Sequence, residues 1–336
     1  MTENRQTTAT WAREADQVFS FLEDHDNFVV CGHPFPDGDS IGCQLAMSEL
    51  LASMGKTARG VIFSPLPKRF RFLSGSDDLI VVPPALPDQL DALICLDIGS
   101  KKRITNLLDT LPDGLPVLNI DHHVSNSEFG TVNWIADAVS SVGEMLYVIL
   151  KERDVPFTPS ISEALYVAIL TDTGRLCYRN TRPETLEACA DLLRHGVNCA
   201  NVFRNLFEDS TRQRLHLLSR ALDTLGTALD DRVSWMSVTH DMCATTTTDF
   251  DDTYEFIDIV KSVTGTKVAL LLRDTDGARV KLSVRSDGTV SAHELCNSFG
   301  GGGHRCAAGA VIPGTIDPVR KQVIDKLESM FNGSES

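Results

Sequence analysis

Short apolar runs at residues 28–31, 58–63, 79–82, 92–96 and 117–120 punctuate the first half of the chain. They are too short for helices and most are bounded by Gly, Pro or Asp, which predicts buried strands. Ala92-Leu93-Ile94-Cys95-Leu96 is almost continuously apolar, as a central parallel strand requires. Between and around the runs, apolar residues recur at helical spacing. Trp11, Ala15, Val18, Phe19 and Leu22 predict a helix over 10–26, and similar patterns cover 41–54, 141–151 and 162–170. Strands alternating with helices through residue 150 predict an α/β class, a doubly wound and mainly parallel sheet.

The pattern then changes. Thr181-Arg182-Pro183-Glu184 reads as a capping box for a helix reaching His195, and helical spacing persists to about residue 228. Strands resume at 233–238, 267–273 and 278–285, the last two flanking the hairpin turn Asp274-Thr275-Asp276-Gly277. Helical patterns at 253–263 and 317–331 make this a smaller α+β unit. The expected organisation is a first domain over 1–194, a helical connection over 195–228 and a second domain over 229–336.

Composition narrows the class. Of 336 residues, 42% are hydrophobic and 23% charged, ordinary globular values. No apolar run approaches the roughly 20 residues of a membrane span, and residues 1–16 carry no signal-peptide core. The nine cysteines lack Cys-x-x-Cys spacing and mostly sit in apolar stretches, which predicts reduced thiols in a cytoplasmic protein. A net charge of −15 argues against a protein that coats duplex DNA. Small anionic substrates remain compatible with it, because a bound cation can supply local positive charge.

The candidate chemistry lies where strands end. The run 28–31 leads into Gly32-His33-Pro34-Phe35-Pro36-Asp37-Gly38-Asp39, a shaped loop in which Asp39 or Ser40 can cap the next helix. The run 92–96 stops on Asp97, and Val117-Leu118-Asn119-Ile120 stops on Asp121-His122-His123. In open α/β sheets the carboxyl edge is where ligands bind. Asp172 closes an apolar helix, where the macrodipole repels a carboxylate unless a cation holds it. Clustered acids repel strongly, and two divalent cations would cancel the charge of Asp37, Asp39, Asp97 and Asp172. Mixed His/Asp ligation suits Mn²⁺ or a similar ion. In the second domain, Gly300-Gly301-Gly302-Gly303 precedes His304-Arg305, and such glycines expose amides suited to an anion.

His33-x-x-x-Asp37-x-Asp39, Asp97, Asp121-His122-His123 and Asp172 resemble the four motifs of the DHH phosphoesterase superfamily. Gly301-Gly302-Gly303-His304 with Ala307-Ala308-Gly309 resembles its DHHA1 domain. The likeness spans nearly the whole chain and is nearest to the nanoRNase/pAp-phosphatase group. It implies two divalent ions, with His33 and Asp37 on one, Asp97 bridging, and Asp39, His122 and Asp172 on the other. Asp121 would fix an imidazole's tautomer, and His123 would face the scissile phosphate. Arg285, His304 and the backbone of Gly301, Gly302 and Gly303 would hold the rest of the substrate.

The implied activity is metal-dependent hydrolysis of short single-stranded RNA and of 3′-phosphoadenosine 5′-phosphate. A family II inorganic pyrophosphatase would carry a basic Ser-Arg-Lys-Lys-type segment where this chain is glycine-rich. A RecJ-type exonuclease usually carries a further nucleic-acid-binding domain. The sequence leaves open a phosphodiesterase for cyclic dinucleotides or pApA, a non-catalytic nucleotide-binding regulator, and the choice between monomer and homodimer.

Overall fold

A computed structural model describes residues 8–82 and 89–334. The chain forms two compact units, Met1–Asp209 and Ser210–Ser336. Among the described residues no helix is long and apolar enough to cross a membrane.

The first unit runs α1 (Thr8–Glu23), β1 (Asn27–Cys31), α2 (Gly38–Ser53), β2 (Thr57–Ile62), β3 (Ile80–Val81) and β4 (Ala92–Leu96). It continues through α3 (Thr105–Leu108), β5 (Val117–Asp121), β6 (Val132–Ile135), α4 (Val142–Glu152), α5 (Pro159–Asp172), α6 (Pro183–Arg194) and α7 (Cys199–Phe203). Its six strands are all parallel in the order β3-β2-β1-β4-β5-β6. The apolar runs are continuous because both sheet faces are covered. Phe28 and Val30 point into the large core beneath α1, α2, α4 and α5, while Val29, Cys31, Leu93 and Cys95 pack toward Ile104 and Leu107.

Strand order reverses between β1 and β4, and register levels the residues that follow them. Cys31 lies opposite Cys95 and Leu96 opposite Ile120. His33 and Asp97, each two residues further along, therefore leave the sheet side by side, with Asp97 level with Asp121. This is the crevice at which doubly wound sheets bind ligands. Glycines bring the helices close: a Cβ on Gly42 would meet the Ala164 carbonyl oxygen at 2.2 Å, so α2 can lie tight against α5.

Two expected helix starts shift. The residue capping α2 is Asp37, whose carboxylate accepts the Ser40 amide, instead of Asp39 or Ser40. Asp39 sits inside the first turn, and its side chain is used elsewhere. The α6 helix opens at Pro183, and the Thr185 hydroxyl accepts the Arg182 amide. Proline suits that first helical position because its missing N–H would be unpaired there anyway.

The second unit runs α8 (Arg212–Leu222), β7 (Gly226–Ala228), β8 (Val233–Val238), α9 (His240–Thr246), α10 (Phe256–Lys261), β9 (Val268–Asp274) and β10 (Arg279–Ser286). It ends with α11 (Ala292–Asn297), β11 (Gly302–Gly303), β12 (Ala307–Pro313) and α12 (Ile316–Ser334). Its sheet order is β11-β12-β10-β9-β8-β7, mixed, with β8 and β9 parallel and the expected β9–β10 hairpin antiparallel. Both faces carry a core, one from Leu270, Leu282 and Leu327, the other from Leu271, Met236 and Phe256. The residues 195–228 are divided between the units: α7 and a π turn over Arg204–Glu208 fall in the first, and α8 in the second.

No cysteine forms a disulfide. Six are buried, whereas Cys177 and Cys199 are exposed.

Candidate metal centre

Every ligand proposed in the first unit comes to the carboxyl edge of its sheet or to an adjoining helix end. His33 Nε2 lies 3.3 Å from Asp37 Oδ2 and 3.2 Å from Asp97 Oδ2. His122 Nε2 stands among three carboxylates, 3.9 Å from Asp39 Oδ2, 3.7 Å from Asp97 Oδ1 and 3.6 Å from Asp172 Oδ2. His123 Nδ1 is 2.6 Å from Asp121 Oδ1 and 3.4 Å from Asp97 Oδ1. His33, Asp37 and Asp97 form one group able to hold an ion, and Asp39, His122 and Asp172 form another. A third such group joins Asp97, Asp121 and His123.

The spacing around His122 is too long for hydrogen bonds, but it is close to that of atoms sharing an ion. Ligands about 2.1 Å from one centre lie roughly 3–3.5 Å apart. Asp97 Oδ1 is buried and accepts no hydrogen bond. An acceptor in that state is costly unless a cation uses it. The donor set of imidazoles and carboxylates therefore fits a divalent cation.

Backbone conformation aims Asp97. Its φ of 59° is left-handed, a region that Asp tolerates better than most residues, and its amide donates to the Ile120 carbonyl at 3.0 Å. Asp39 is held differently. Its two oxygens accept the amides of Val142 and Gly143 at the start of α4, each at 2.9 Å. Helix N-termini favour such anions. That helix end is fixed in turn by buried Glu144, which accepts from the Ser140 amide and hydroxyl, the Thr185 hydroxyl and Arg182. Asn180 donates to the carbonyls of both Ser140 and Asp172.

Charge is distributed unevenly. Burial works against protonating His33, yet Asp37 and Asp97 outweigh it and raise its pKa to about 10. Burial and the neighbouring acids push Asp39 and Asp172 well above the usual carboxylate range. Burial lowers His122. Against burial, the bond to Asp121 raises His123, and the same bond lowers Asp121.

Sequence reasoning left several supporting residues without a role. Asn126 donates to Asp121 Oδ2 at 2.6 Å and to Asn119 Oδ1 at 2.9 Å, and Asn119 donates to the Cys95 and Ile98 carbonyls. Both lie within a few residues of Asp121-His122-His123, where two amide side chains beside a strand end were the available signal. The amides of Val142 and Gly143 left none.

The proposed substrate residues of the second unit lie on or beside the strands β11, β12 and β10 of its sheet. Arg285, on β10, faces Ala307 across the ladder, and its buried Nε has no hydrogen-bond partner. The glycine run is an edge strand with packing reasons of its own. A Cβ on Gly301 or Gly303 would strike β12, the Gly309 oxygen at 2.2 Å and the Ala307 oxygen at 2.5 Å respectively. A Cβ on Gly302 would meet open space. The amides of Gly300, Gly301 and His304 already donate to Asn297, Cys296 and Ala307, so what the run offers a ligand is close approach more than donors. His293, also without a role in the sequence reading, donates to the Gly303 carbonyl at 2.7 Å.

The description "DHH family, N-terminal domain" fits residues 27–169, and "DHHA1 domain" fits 238–333. The bifunctional oligoribonuclease and PAP phosphatase NrnA of Thermus thermophilus is 30% identical over 306 residues, 88% of this chain and 87% of that protein. The chain belongs to the DHH/DHHA1 family. The Bacillus subtilis protein of the same description is 23% identical over 291 residues, 86% of this chain and 90% of that protein. An exopolyphosphatase-related protein from Bacteroides fragilis shares the fold, with a TM-score of 0.87 at 24% identity over 96% of this chain and 98% of its own. The DHH match ends before Asp172, whose place among the candidate ligands rests on its position at the end of α5 and on its geometry.

Proposed function

We propose that the first unit holds two divalent cations, and that the chain uses them to hydrolyse very short oligoribonucleotides, 3′-phosphoadenosine 5′-phosphate, or both. The observation that supports this is Asp97, whose two oxygens reach opposite ways, Oδ2 to His33 and Oδ1 to His122. One carboxylate between two imidazoles, each with further acids beside it, suits a ligand shared by two ions. His33 and Asp37 would complete one set, and Asp39, His122 and Asp172 the other. Mn²⁺ or a similar first-row ion suits this nitrogen–oxygen mixture. When bound, such a pair supplies a water of low pKa and positive charge opposite a phosphoryl group.

The chain's own residues do the positioning. Asp121 accepts the Nδ1–H of His123, which fixes that ring and presents Nε2 to a substrate. With its pKa raised, His123 holds a proton more readily than an ordinary histidine and can donate to a phosphoryl oxygen. In the second unit, Arg285, His304 and the open face of Gly302, flanked by Gly301 and Gly303, would take a more distant phosphate of the substrate. This assigns catalysis to residues 1–194 and substrate grip to 229–336, with 195–228 between them. The two bifunctional oligoribonuclease and PAP phosphatase relatives support the substrate class.

A product assay with Mn²⁺ tests the reading across 3′-phosphoadenosine 5′-phosphate, dinucleotides to pentanucleotides, cyclic dinucleotides and pyrophosphate. AMP and nucleoside monophosphates from the first two classes are expected. Cleavage of cyclic dinucleotides or pyrophosphate alone, or nucleotide binding without product, would overturn it.

A further inference from the structure

A pocket of about 460 Å³ opens in the first unit against the loop that carries His33 and Asp37. That volume falls within the roughly 300–1,000 Å³ typical of small-ligand sites. Its wall is assembled from four segments: Pro34 and Phe35 from that loop, Phe63 just past β2, Val82 just past β3, and Lys102, Arg103 and Asn106 beyond Asp97. The sheet order explains the assembly. Strands β3, β2, β1 and β4 are successive neighbours, so the segments leaving their carboxyl ends converge.

Two features of the wall are accessible to a ligand. Phe35 is 56% exposed although it is a large aromatic, and Pro34 and Pro36 restrict the backbone on either side of it. Lys101-Lys102-Arg103 are consecutive cations in a chain of net charge −15, and among the described residues none of the three is ion-paired. Arg103 lies close enough for its charge to act on His123. An aromatic face and two cations on one concave surface, one ligand loop away from the candidate ions, match a flat uncharged ring attached to an anion.

We propose that this pocket is a nucleoside subsite: the base next to the scissile phosphate stacks on Phe35, while Lys102 and Arg103 hold the adjoining phosphate. Base–aromatic stacking is tolerant of sequence, because every base has a π face, and Arg adds attraction to such a ring. A substrate without a ring, such as pyrophosphate, would leave Phe35 uncovered. The inference rests on the phosphoesterase reading and adds to it the group that must flank the bond being broken.

The test compares a dinucleotide with analogues abasic at one position or the other, and adds isothermal titration of AMP into the Mn²⁺-loaded protein. In the native chain, removing one of the two bases should lower kcat/KM by about 5- to 150-fold, the usual worth of a stacked base. Phe35→Ala should shrink that preference by the same factor and weaken AMP binding, and Phe35→Tyr should restore both. Arg103→Gln should weaken AMP more than adenosine. AMP binding and base preference that are the same in Phe35→Ala as in the native chain, or no AMP binding by the native chain, would overturn the subsite. If the native chain binds AMP through Phe35 yet cleaves neither dinucleotide, analogue nor 3′-phosphoadenosine 5′-phosphate, the phosphoesterase reading falls and the subsite stands.

Discussion

His33 and His122 are both buried imidazoles facing carboxylates at one sheet edge, yet their pKa values move in opposite directions. Around His33, burial is outweighed by Asp37, which is half-exposed, and by Asp97, and the imidazole's pKa rises. Around His122 burial prevails and lowers the imidazole, while burial and mutual repulsion raise Asp39 and Asp172. The same residue types thus make two groups that differ in what a cation must displace. Position relative to solvent, and not the choice of ligand, sets that difference.

Asp97 belongs to both groups, so its removal gives the largest effect. Asp97→Ala should abolish turnover and weaken two Mn²⁺ sites together, well beyond the roughly 10–100-fold cost of losing a supporting partner. Isothermal titration that finds two undiminished sites would separate the groups and remove Asp97 from them. Next comes His123→Ala, which should keep both ions and lose about 10²–10³ in rate, the cost of one aimed donor. Ions missing from the purified variant, measured by elemental analysis, would make His123 a ligand instead.

A third comparison sets Asp39→Ala beside Asp37→Ala in chelator. The first leaves two buried amides of α4 unpaired and should cost about 2–4 kcal/mol in urea unfolding. The second loses a helix cap, about 1 kcal/mol, together with its contact to His33, and should cost less than the first. Equal losses would mean that Asp39 does not anchor α4.

The smallest effect is a pH dependence. In chelator, His33 binds its proton more tightly folded than unfolded, so its contribution to stability is complete below about pH 6.5 and lost as pH rises toward 10. The raised carboxylates act in the same direction. Ligands must be deprotonated, so with Mn²⁺ present the trend should reverse and binding should release protons. Calorimetric melting temperatures from pH 6.5 to 9, with and without Mn²⁺, check the sign. A chelated protein that grows more stable with rising pH would contradict the assignment of charge.

The residues gathered at the candidate centre were legible in the sequence for a simple reason. Asp97 and His33 are polar residues that follow apolar strands without a break in pattern, and a sheet with both faces buried has no other use for them. Asp172 was legible because a carboxylate at a helix C-terminus opposes the dipole. What holds the ligands was not legible. The partners of Asp39 are backbone amides more than a hundred positions away, which leave no side-chain signal. The role of Asp37 as cap was misassigned because Asp37, Asp39 and Ser40 are all good caps, and only tertiary contacts decide among them. The glycine run reads as an exposed cradle in sequence, whereas two of its members are glycine because β12 lies against them.

The bond from Val142 to Asp39 spans 103 positions of chain. Contacts of such separation close large loops and come late in folding. A ribosome must therefore deliver α4 and α5 before the acids gathered around β1 can meet their remaining partners. Until then, a nascent chain can gather His33, Asp37 and Asp97 but only part of the group around His122. Completion of that second group is in this way timed by chain topology, and it rewards the finished unit alone.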